Sequence, residues 1–547
     1  MLKRSISPFA LLLTSVSAIL GSGWLFTTYY ISELAGPSAI FAWLIGGLAA
    51  ILIAFVFAEL CAMLPITGAS IRIPHYTHGT LVSFLFSWII WLSYASLAST
   101  EVQAVLQYLN YFFPSLVHSD GGLTIYGYFL ASVLMITISA INIFSLRWLL
   151  RFNSALTILK IAIPTVVAVV ILALYFAPSR LIHPAHTAFM PYGTHGIFAA
   201  VTTGGIVFAF NGFKQACEMA GEAQNPSRAL PFAIIGSVVI CLIIYLLLQF
   251  AFLSSLLPIN LAHGWAHLNL QGGTSPITAI VHQGHLDVLL PLLYLGAVIG
   301  PLTAALMYTS SGARALYGMS KNRHIPLLFQ HLTTQGNPSI AIIANFVLGM
   351  CLFAPLPGWN RMIAFLTSLM ALTYGVAPIC LLALRQQLPQ HSRPFKLPAV
   401  TLWAAGAFYI CTLLTYWSGW MIISKLGLAL LIGLAVLILH RYFIEPDKRF
   451  AFHWRASIWV WPYFLGVALI SYLGNFGGGK GIITFGWDFV VIGVFCIFTF
   501  WLAIKFKLPS ELTQRFLQDP EFDQPLRERE PSGIPKPTSE PTFIDHH

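Results

Sequence analysis

Long apolar runs, separated by short polar stretches, follow one another through most of this chain. Runs of about 18 or more apolar residues are long enough for a helix to cross the roughly 30 Å of hydrocarbon in a bilayer. The short segments of alternating polarity that are typical of a membrane β-barrel are not found. The pattern therefore predicts an all-α polytopic membrane protein.

Fourteen runs are long enough to span the membrane. Their approximate limits are residues 6–30, 37–63, 81–112, 124–145, 152–177, 195–219, 230–257, 288–318, 339–356, 361–384, 400–421, 423–442, 456–474 and 483–504.

Composition excludes a chain of soluble domains. Hydrophobic residues make up 57% of the 547 positions and charged residues only 8%, whereas soluble domains carry about 25% charged residues. In a soluble protein the net charge of +10 would indicate an anionic partner, but here the distribution of the charges matters more than their sum. We predict the lipid bilayer as the environment and no nucleic-acid partner, and no pattern indicates an oligomeric state.

The basic residues predict the orientation of the chain. With a cytoplasmic N-terminus, most Lys and Arg residues fall in cytoplasmic loops and in the tail, as the positive-inside rule requires. An even number of spans then leaves both termini in the cytoplasm, and the expected location is the cytoplasmic (inner) membrane. The outside loops hold four basic residues, which are Arg180, Arg361, Lys425 and Lys480.

Patterns typical of cofactors, metals and enzymes are missing from the sequence. The seven cysteines lie in or near apolar runs, without the spacing of metal ligands. No nucleotide-binding P-loop pattern is present, and nothing resembles a hydrolytic or redox constellation. We therefore predict no cofactor, no primary pump and no enzyme.

The first ten runs divide into two halves of similar length, about residues 6–177 and 195–384. Each half opens with a run that glycine interrupts: Gly21-Ser22-Gly23 in the first, Gly204-Gly205 and Gly212 in the sixth. Because each half has five spans, the second is inverted relative to the first. Paired broken helices in inverted repeats indicate a binding site near the midplane of the membrane.

This division predicts three regions. Residues 1–390 would form a ten-helix, inverted-repeat (5+5) transport core, and residues 391–507 would add four transmembrane helices. Residues 508–547 are polar and rich in proline, with too little apolar surface to fold alone, and are predicted to form a disordered cytoplasmic tail.

The chemistry of an interrupted helix restricts the ligand. Unwound backbone inside a bilayer is tolerated where it lines a cavity or binds something. Free N–H groups at the start of a half-helix suit a carboxylate, and freed carbonyl oxygens suit an ammonium group. An α-amino acid carries both groups, as do other small zwitterions.

Several stretches, in order along about the first 390 residues, resemble the amino acid–polyamine–organocation (APC) permeases, and the last four runs resemble their fourteen-span branch. The resemblance implies the LeuT-like inverted-repeat fold, with broken helices 1 and 6, and amino acid transport. The stretches are Ile19-Leu20-Gly21-Ser22-Gly23-Trp24-Leu25-Phe26, Ala58-Glu59-Leu60 with Pro65 and Gly68, Phe208 with Phe210-Asn211-Gly212-Phe213, Ala220-Gly221-Glu222, Asn225-Pro226-Ser227-Arg228, Ala313-Arg314-Ala315-Leu316-Tyr317-Gly318-Met319 and Ile325-Pro326.

The resemblance also implies roles for individual residues. Ile19, Phe208 and Asn211 would offer backbone carbonyls to the substrate ammonium. Ser22 and Gly23 would receive its carboxylate, and Phe208 would also act as an aromatic gate over the site.

Lys160 is a charge deep within the fifth run. It lies nine residues beyond Arg151, which is roughly 13 Å along a helix. One interpretation is a proton-binding amine in the place of a sodium ion, which tethers the first and eighth helices when protonated. The other is a lysine whose apolar stem reaches the interface. Some proton-coupled APC members carry a lysine at the matching position, and Thr303 is the candidate hydroxyl partner.

Three further charges lie within predicted spans. Glu101 would face the substrate side chain, bind a proton, or pair with another buried charge. Lys214 departs from the family pattern, in which an acidic residue is frequent after the glycine of the sixth helix. Two cations near the pathway would favour an acidic substrate, or Lys214 would neutralise Glu101 or Glu218, and neutralisation is the favoured interpretation.

The predicted function is secondary active transport of an amino acid by proton symport with alternating access. Two alternatives stay open at this point: an amino acid exchanger in which Lys160 is a fixed cation, and a transporter-like amino acid sensor.

Overall fold

A computed structural model describes residues 6–66, 68–118, 120–144, 146–176, 188–270, 275–443 and 451–518, although not the side chains of residues 146–153. Apart from two isolated β-bridges, the regular structure of these residues is helical. The predicted all-α architecture is therefore confirmed for this part of the chain.

The α-helices follow the apolar runs. They are α1 (Pro8–Ile19), α2 (Gly23–Ala35), α3 (Ala39–Met63), α4 (Ala69–Leu109), α5 (Ile125–Phe144), α6 (Leu146–Tyr175), α7 (Gly193–Thr202), α8 (Ile206–Ala209), α9 (Gln215–Glu218), α10 (Pro226–Ser255), α11 (Pro276–Gln283), α12 (Leu290–Lys321), α13 (Ser339–Leu352), α14 (Trp359–Tyr374), α15 (Val376–Gln387), α16 (Val400–Trp417), α17 (Trp420–Phe443), α18 (Val460–Leu473), α19 (Trp487–Lys505) and α20 (Ser510–Gln518).

Eleven helical stretches among the described residues are long and apolar enough to cross a membrane, or up to twelve if the bent α7–α9 unit counts as one span. The predicted first and ninth spans fall on the shorter helices α1 and α13. Fourteen residues of α13 rise only about 21 Å. The chain is an integral multi-pass membrane protein, while the count of fourteen spans and the exact 5+5 repeat stay predictions.

Both predicted interruptions are present. Helix α1 ends at Ile19 and α2 begins at Gly23. In the second half, Gly205 has a left-handed φ of 101° before α8, and α7–α8 meets the segment from residue 211 to 218 at a bend of 42°. Glycine adopts this φ without a Cβ penalty, which explains why the helix is redirected there.

The two interruptions pack against each other. A Cβ at Gly212 would overlap Ile19 N and the carbonyl carbon of Ala18, and would lie 2.8 Å from Ala18 Cβ. On the other side of the break, a Cβ at Gly23 would lie 3.2 Å from Ala209 Cβ. The missing side chains let the backbones approach closely, so that freed N–H and C=O groups of both helices face one small region.

Burial distinguishes the centre of the bundle from its lipid-facing rim. In the most apolar stretch of α4 and of the α14–α15 pair, 89% of the residues are buried, whereas in that of α17 only 22% are buried. The centre therefore lies around α4, α14 and α15, beside the two interruptions.

The boundary predicted for the tail is wrong. Residues 510–518 form helix α20, which packs on the start of α4: Thr513 Oγ1 donates to Tyr76 O at 2.9 Å, and Leu508 N donates to Thr77 O at 2.9 Å. Contact with the folded bundle supplies the apolar partner surface that this segment lacks alone. The rest of the predicted tail, residues 519–547, lies outside the described residues.

Candidate functional site

One N–H group at the α1–α2 interruption, that of Ser22, faces a carboxylate of the protein itself. Ser22 N donates to Glu101 Oε2 at 2.7 Å, and the Glu101 side chain is only 1% exposed. A Cβ at Gly21 would overlap this carboxylate, with Glu101 Cδ at 2.8 Å. The glycine thus creates the space that Glu101 fills, at the position predicted for a substrate carboxylate.

The carbonyl oxygens freed by the interruption face tyrosine hydroxyls. The Tyr245 hydroxyl lies 3.0 Å from both Ile19 O and Ala209 O, so one proton is shared between the two broken helices. Tyr308 donates to Ala18 O at 2.6 Å. Ile19 O, predicted to receive a substrate ammonium, therefore already accepts a hydrogen bond.

Phe208 and Asn211, predicted on the second broken helix, are both brought to this region. The Asn211 side-chain oxygen accepts a hydrogen bond from Tyr374 at 2.6 Å, while its buried amide nitrogen makes no hydrogen bond to the residues that the structure describes. Phe208 meets the ring of Trp359 edge to face, with centroids 5.6 Å apart. An unused amide donor beside freed carbonyls is a polar feature that a zwitterionic ligand can use.

Trp359, at the start of α14, covers the interruption. Its Nε1 donates to Ser22 Oγ at 2.8 Å, and its ring stacks on Phe26 at 4.7 Å and on Tyr30 at 5.7 Å. Together with Phe208 these rings form an aromatic lid. The predicted gate is thus one member of a larger cluster.

Lys160 reaches the first broken helix. The side chain is 4% exposed, and its Nζ donates to Ser17 O and, at 3.2 Å, to Ser17 Oγ. Thr303, the predicted partner, instead lies 2.7 Å from Ile299 O within its own helix. Thr303 donates its hydroxyl proton to that carbonyl. The hydrogen bonds of Lys160 therefore join α6 to α1.

Glu101 and Lys160 form a buried acid–base pair around the interruption. Lys160 of α6 contacts Ser17 of α1, Glu101 of α4 contacts Ser22 just before α2, and the carboxylate lies within electrostatic range of the ammonium group. Opposite charges attract strongly in a medium of low polarity. One ionisable group therefore acts on the unwound backbone at Ser22, and the other acts on the last turn of the helix that precedes it.

Lys214 and Glu218 form a second polar cluster, separate from that pair. Ser70 Oγ and, at 3.1 Å, Tyr94 OH donate to Glu218 Oε1. Lys214 Nζ lies 4.8 Å from the centroid of the Tyr374 ring and within electrostatic range of Glu218. Of the two predicted neutralising partners for Lys214, the structure favours Glu218.

A small cavity adjoins this cluster, and Lys214 and Ser70 line it together with residues of α3, α15 and the start of α4. Tyr374 links the cluster to the second interruption, because its hydroxyl donates to Asn211 Oδ1 and its ring lies against Lys214. In the part of the chain that the structure describes, no group of three His, Cys, Asp or Glu side chains has the arrangement of a metal site.

Four residues of the site were missed by the sequence analysis: Tyr245, Tyr308, Trp359 and Tyr374. A hydroxyl in the middle of an apolar span needs a hydrogen-bond partner, and this signal points to Tyr245 and Tyr308. Trp359 resembled the many interfacial aromatic residues, and no local pattern distinguishes it from them.

Known proteins match this chain along nearly its whole length. The family described as "Amino acid permease" matches residues 6–437. The glutamate/serine transporter AimA of Bacillus subtilis (strain 168) is 31% identical over 516 residues, covering 92% of this chain and 94% of the relative. The aspartate-proton symporter of the same organism is 32% identical over 511 residues, covering 93% and 97%.

Among solved structures, a mutant of the Eremococcus coleocola manganese transporter covers 89% of this chain and 95% of its own, with a TM-score of 0.52 and 13% sequence identity. At this identity the likeness shows the fold alone, which is that of a transporter.

Proposed function

This chain belongs to the amino acid permease family, and we propose that it is a secondary active transporter that carries an amino acid with a proton by alternating access. The proposal includes the cytoplasmic membrane as its location, with both termini in the cytoplasm. It also includes an inverted 5+5 core with four further helices. Family members and relatives are transporters rather than enzymes.

The proposed substrates are small amino acids, with aspartate, glutamate and serine tested first. The two relatives above are named for these amino acids. The α-carboxylate would bind the N–H groups of Ser22 and Gly23. The ammonium group would bind backbone carbonyls of Ile19, Phe208 and Asn211, beneath the aromatic lid.

The observation that carries the proton coupling is the hydrogen bonding of Lys160 to Ser17 O and Oγ on the first broken helix. A protonated amine has three donors and no acceptor. Loss of its proton removes the charge that strengthens these bonds. In this mechanism the proton on Lys160 holds α6 to α1, and its release lets the two helices separate during the transport cycle.

Uptake into proteoliposomes tests the proposal. With an inward proton gradient and no sodium, wild-type protein should accumulate radiolabelled aspartate, glutamate or serine above the external concentration. Lys160→Ala should abolish this accumulation. Lys425→Ala, which removes an exposed lysine of α17, is the matched control and should accumulate substrate like the wild type.

Two results would overturn the coupling. Counterflow that is insensitive to pH, without net accumulation, would indicate an exchanger. Wild-type accumulation by Lys160→Ala would remove Lys160 from the mechanism. Binding without any transport would instead support the sensor.

A further inference from the structure

The carboxylate of Glu101 accepts a hydrogen bond from Ser22 N–H. In the proposed site, the same N–H group would bind the carboxylate of the substrate. Glu101 Oε2 lies 2.7 Å from Ser22 N, and the neighbouring glycine leaves no room for a Cβ beside it. A charge-assisted hydrogen bond of this length is among the stronger ones in proteins. The donor is therefore engaged by the protein itself.

We propose that Glu101 is an internal stand-in for the substrate carboxylate, and that a substrate binds by displacing it from Ser22 N–H. This inference rests on the proposed amino acid site and adds a competitor to it. In this role Glu101 does not contact the substrate side chain. It competes for the position of the α-carboxylate, which all amino acids share.

Displacement would leave two carboxylates in one buried region. Like charges at close range repel strongly in a medium of low polarity, so the displaced Glu101 takes up one proton from solution at a carboxylate oxygen. The titratable groups that act on Glu101 are Lys160 of α6, Tyr245 of α10 and Tyr308 of α12. None of them is a second carboxylic acid, and Lys160 keeps its proton, which it donates to Ser17, in this step, so the proton goes to Glu101.

The sign of the pH dependence follows from this exchange. Because binding takes up a proton, acidic conditions favour the bound state. The apparent Kd should fall by up to about ten-fold for each unit of decrease in pH, over the range in which unbound Glu101 is ionised. A chain that lacks the carboxylate should lose this dependence.

Isothermal titration calorimetry on the purified full-length protein tests the inference, with the amino acid that wild-type protein accumulates. Repeating the titration in buffers with different ionisation enthalpies counts the protons taken up. We expect about one proton for the wild type and none for Glu101→Gln. Glu101→Gln should also bind about ten-fold more tightly than the wild type at pH 7.5, since a neutral amide competes less well for Ser22 N–H.

Two further variants serve as controls for this interpretation. Glu222→Gln removes a partly exposed carboxylate that lies 3.9 Å from Arg314, and it should bind like the wild type at every pH. Glu101→Asp keeps the charge but shortens its reach, and it should bind more tightly than the wild type if reach matters for competition.

The inference fails if Glu101→Gln keeps the wild-type proton uptake, or if folded Glu101→Gln no longer binds at any pH. Either result leaves proton-driven accumulation by the wild type untouched. Conversely, absence of proton-driven accumulation would overturn the proposed function while the competition for Ser22 N–H could still be measured. The two failures are therefore distinguishable.

Discussion

Replacing Gly212 by alanine tests whether the two broken helices need direct backbone contact. The added Cβ would overlap backbone atoms of Ala18 and Ile19, and its separation from Ala18 Cβ would be 2.8 Å. Ordinary contact begins at 3.4 Å, so the helices must separate by more than the 3.4 − 2.8 = 0.6 Å that Ala18 Cβ alone requires, because the backbone atoms of Ala18 and Ile19 lie closer still. The backbone cannot rotate aside as a flexible side chain could, and the whole contact must move.

Overpacking of this kind typically costs about 1–3 kcal/mol. The damage to function should exceed the damage to stability, because the same shift stretches the shared hydrogen bonds of Tyr245 to Ile19 O and Ala209 O, each 3.0 Å long. We expect a lower melting temperature in detergent and a loss of most of the uptake.

The control is Gly406→Ala, inside α16, where a new Cβ meets no atom within 4 Å. Alanine is favoured over glycine inside a helix by about 0.5–1 kcal/mol, so this variant should melt at the same temperature as the wild type or higher. Both melting temperatures can be measured by size-exclusion chromatography after heating, alongside uptake into proteoliposomes. Wild-type stability and wild-type uptake in Gly212→Ala would refute the packing argument.

Three further predictions concern a buried hydroxyl group, a buried imidazole and the docked helix α20. Tyr245→Phe leaves two buried carbonyls without their shared donor and should lower stability by about 1–3 kcal/mol, seen as a lower melting temperature, whereas Tyr126→Phe at an exposed position should not. Burial and neighbouring histidines hold the pKa of the His324 imidazole well below its usual range; the unfolded chain then binds more protons, so stability should fall as the pH drops below about 6.5, and His324→Gln should flatten this part of the melting-temperature profile. A chain that ends at residue 507 lacks α20 and should melt at a lower temperature than one that ends at residue 518; equal values would show that the docked helix adds no stability.

Local sequence rules predicted the parts of the fold that depend on local chemistry. Long apolar runs became helices because the segments that cross a membrane must satisfy their own backbone groups. Gly21 and Gly205 marked the interruptions because redirected backbone and close approach both favour glycine. These features can be recognised within a window of a few residues.

What could not be predicted depends on contacts between distant positions. Glu101 is 79 residues from Ser22 in sequence, and its presence within a span says nothing about which backbone donor it meets. Thr303, the predicted partner of Lys160, donates to Ile299 O in its own helix, because a threonine hydroxyl on a helix readily bonds a carbonyl of the preceding turn. Helix α20 was missed because its stability comes from packing on α4 rather than from its own composition.

Several polar groups at the first interruption are engaged by the protein itself. Unwound backbone in a membrane cannot rely on water, so its N–H and C=O groups need partners within the protein. Glu101 lies at a free N–H, tyrosine hydroxyls lie at freed carbonyls, and Lys160 lies at Ser17 O. In the proposed exchange, a substrate replaces these partners rather than adding new ones. Replacing an existing hydrogen bond gains less free energy than filling a donor that has no partner.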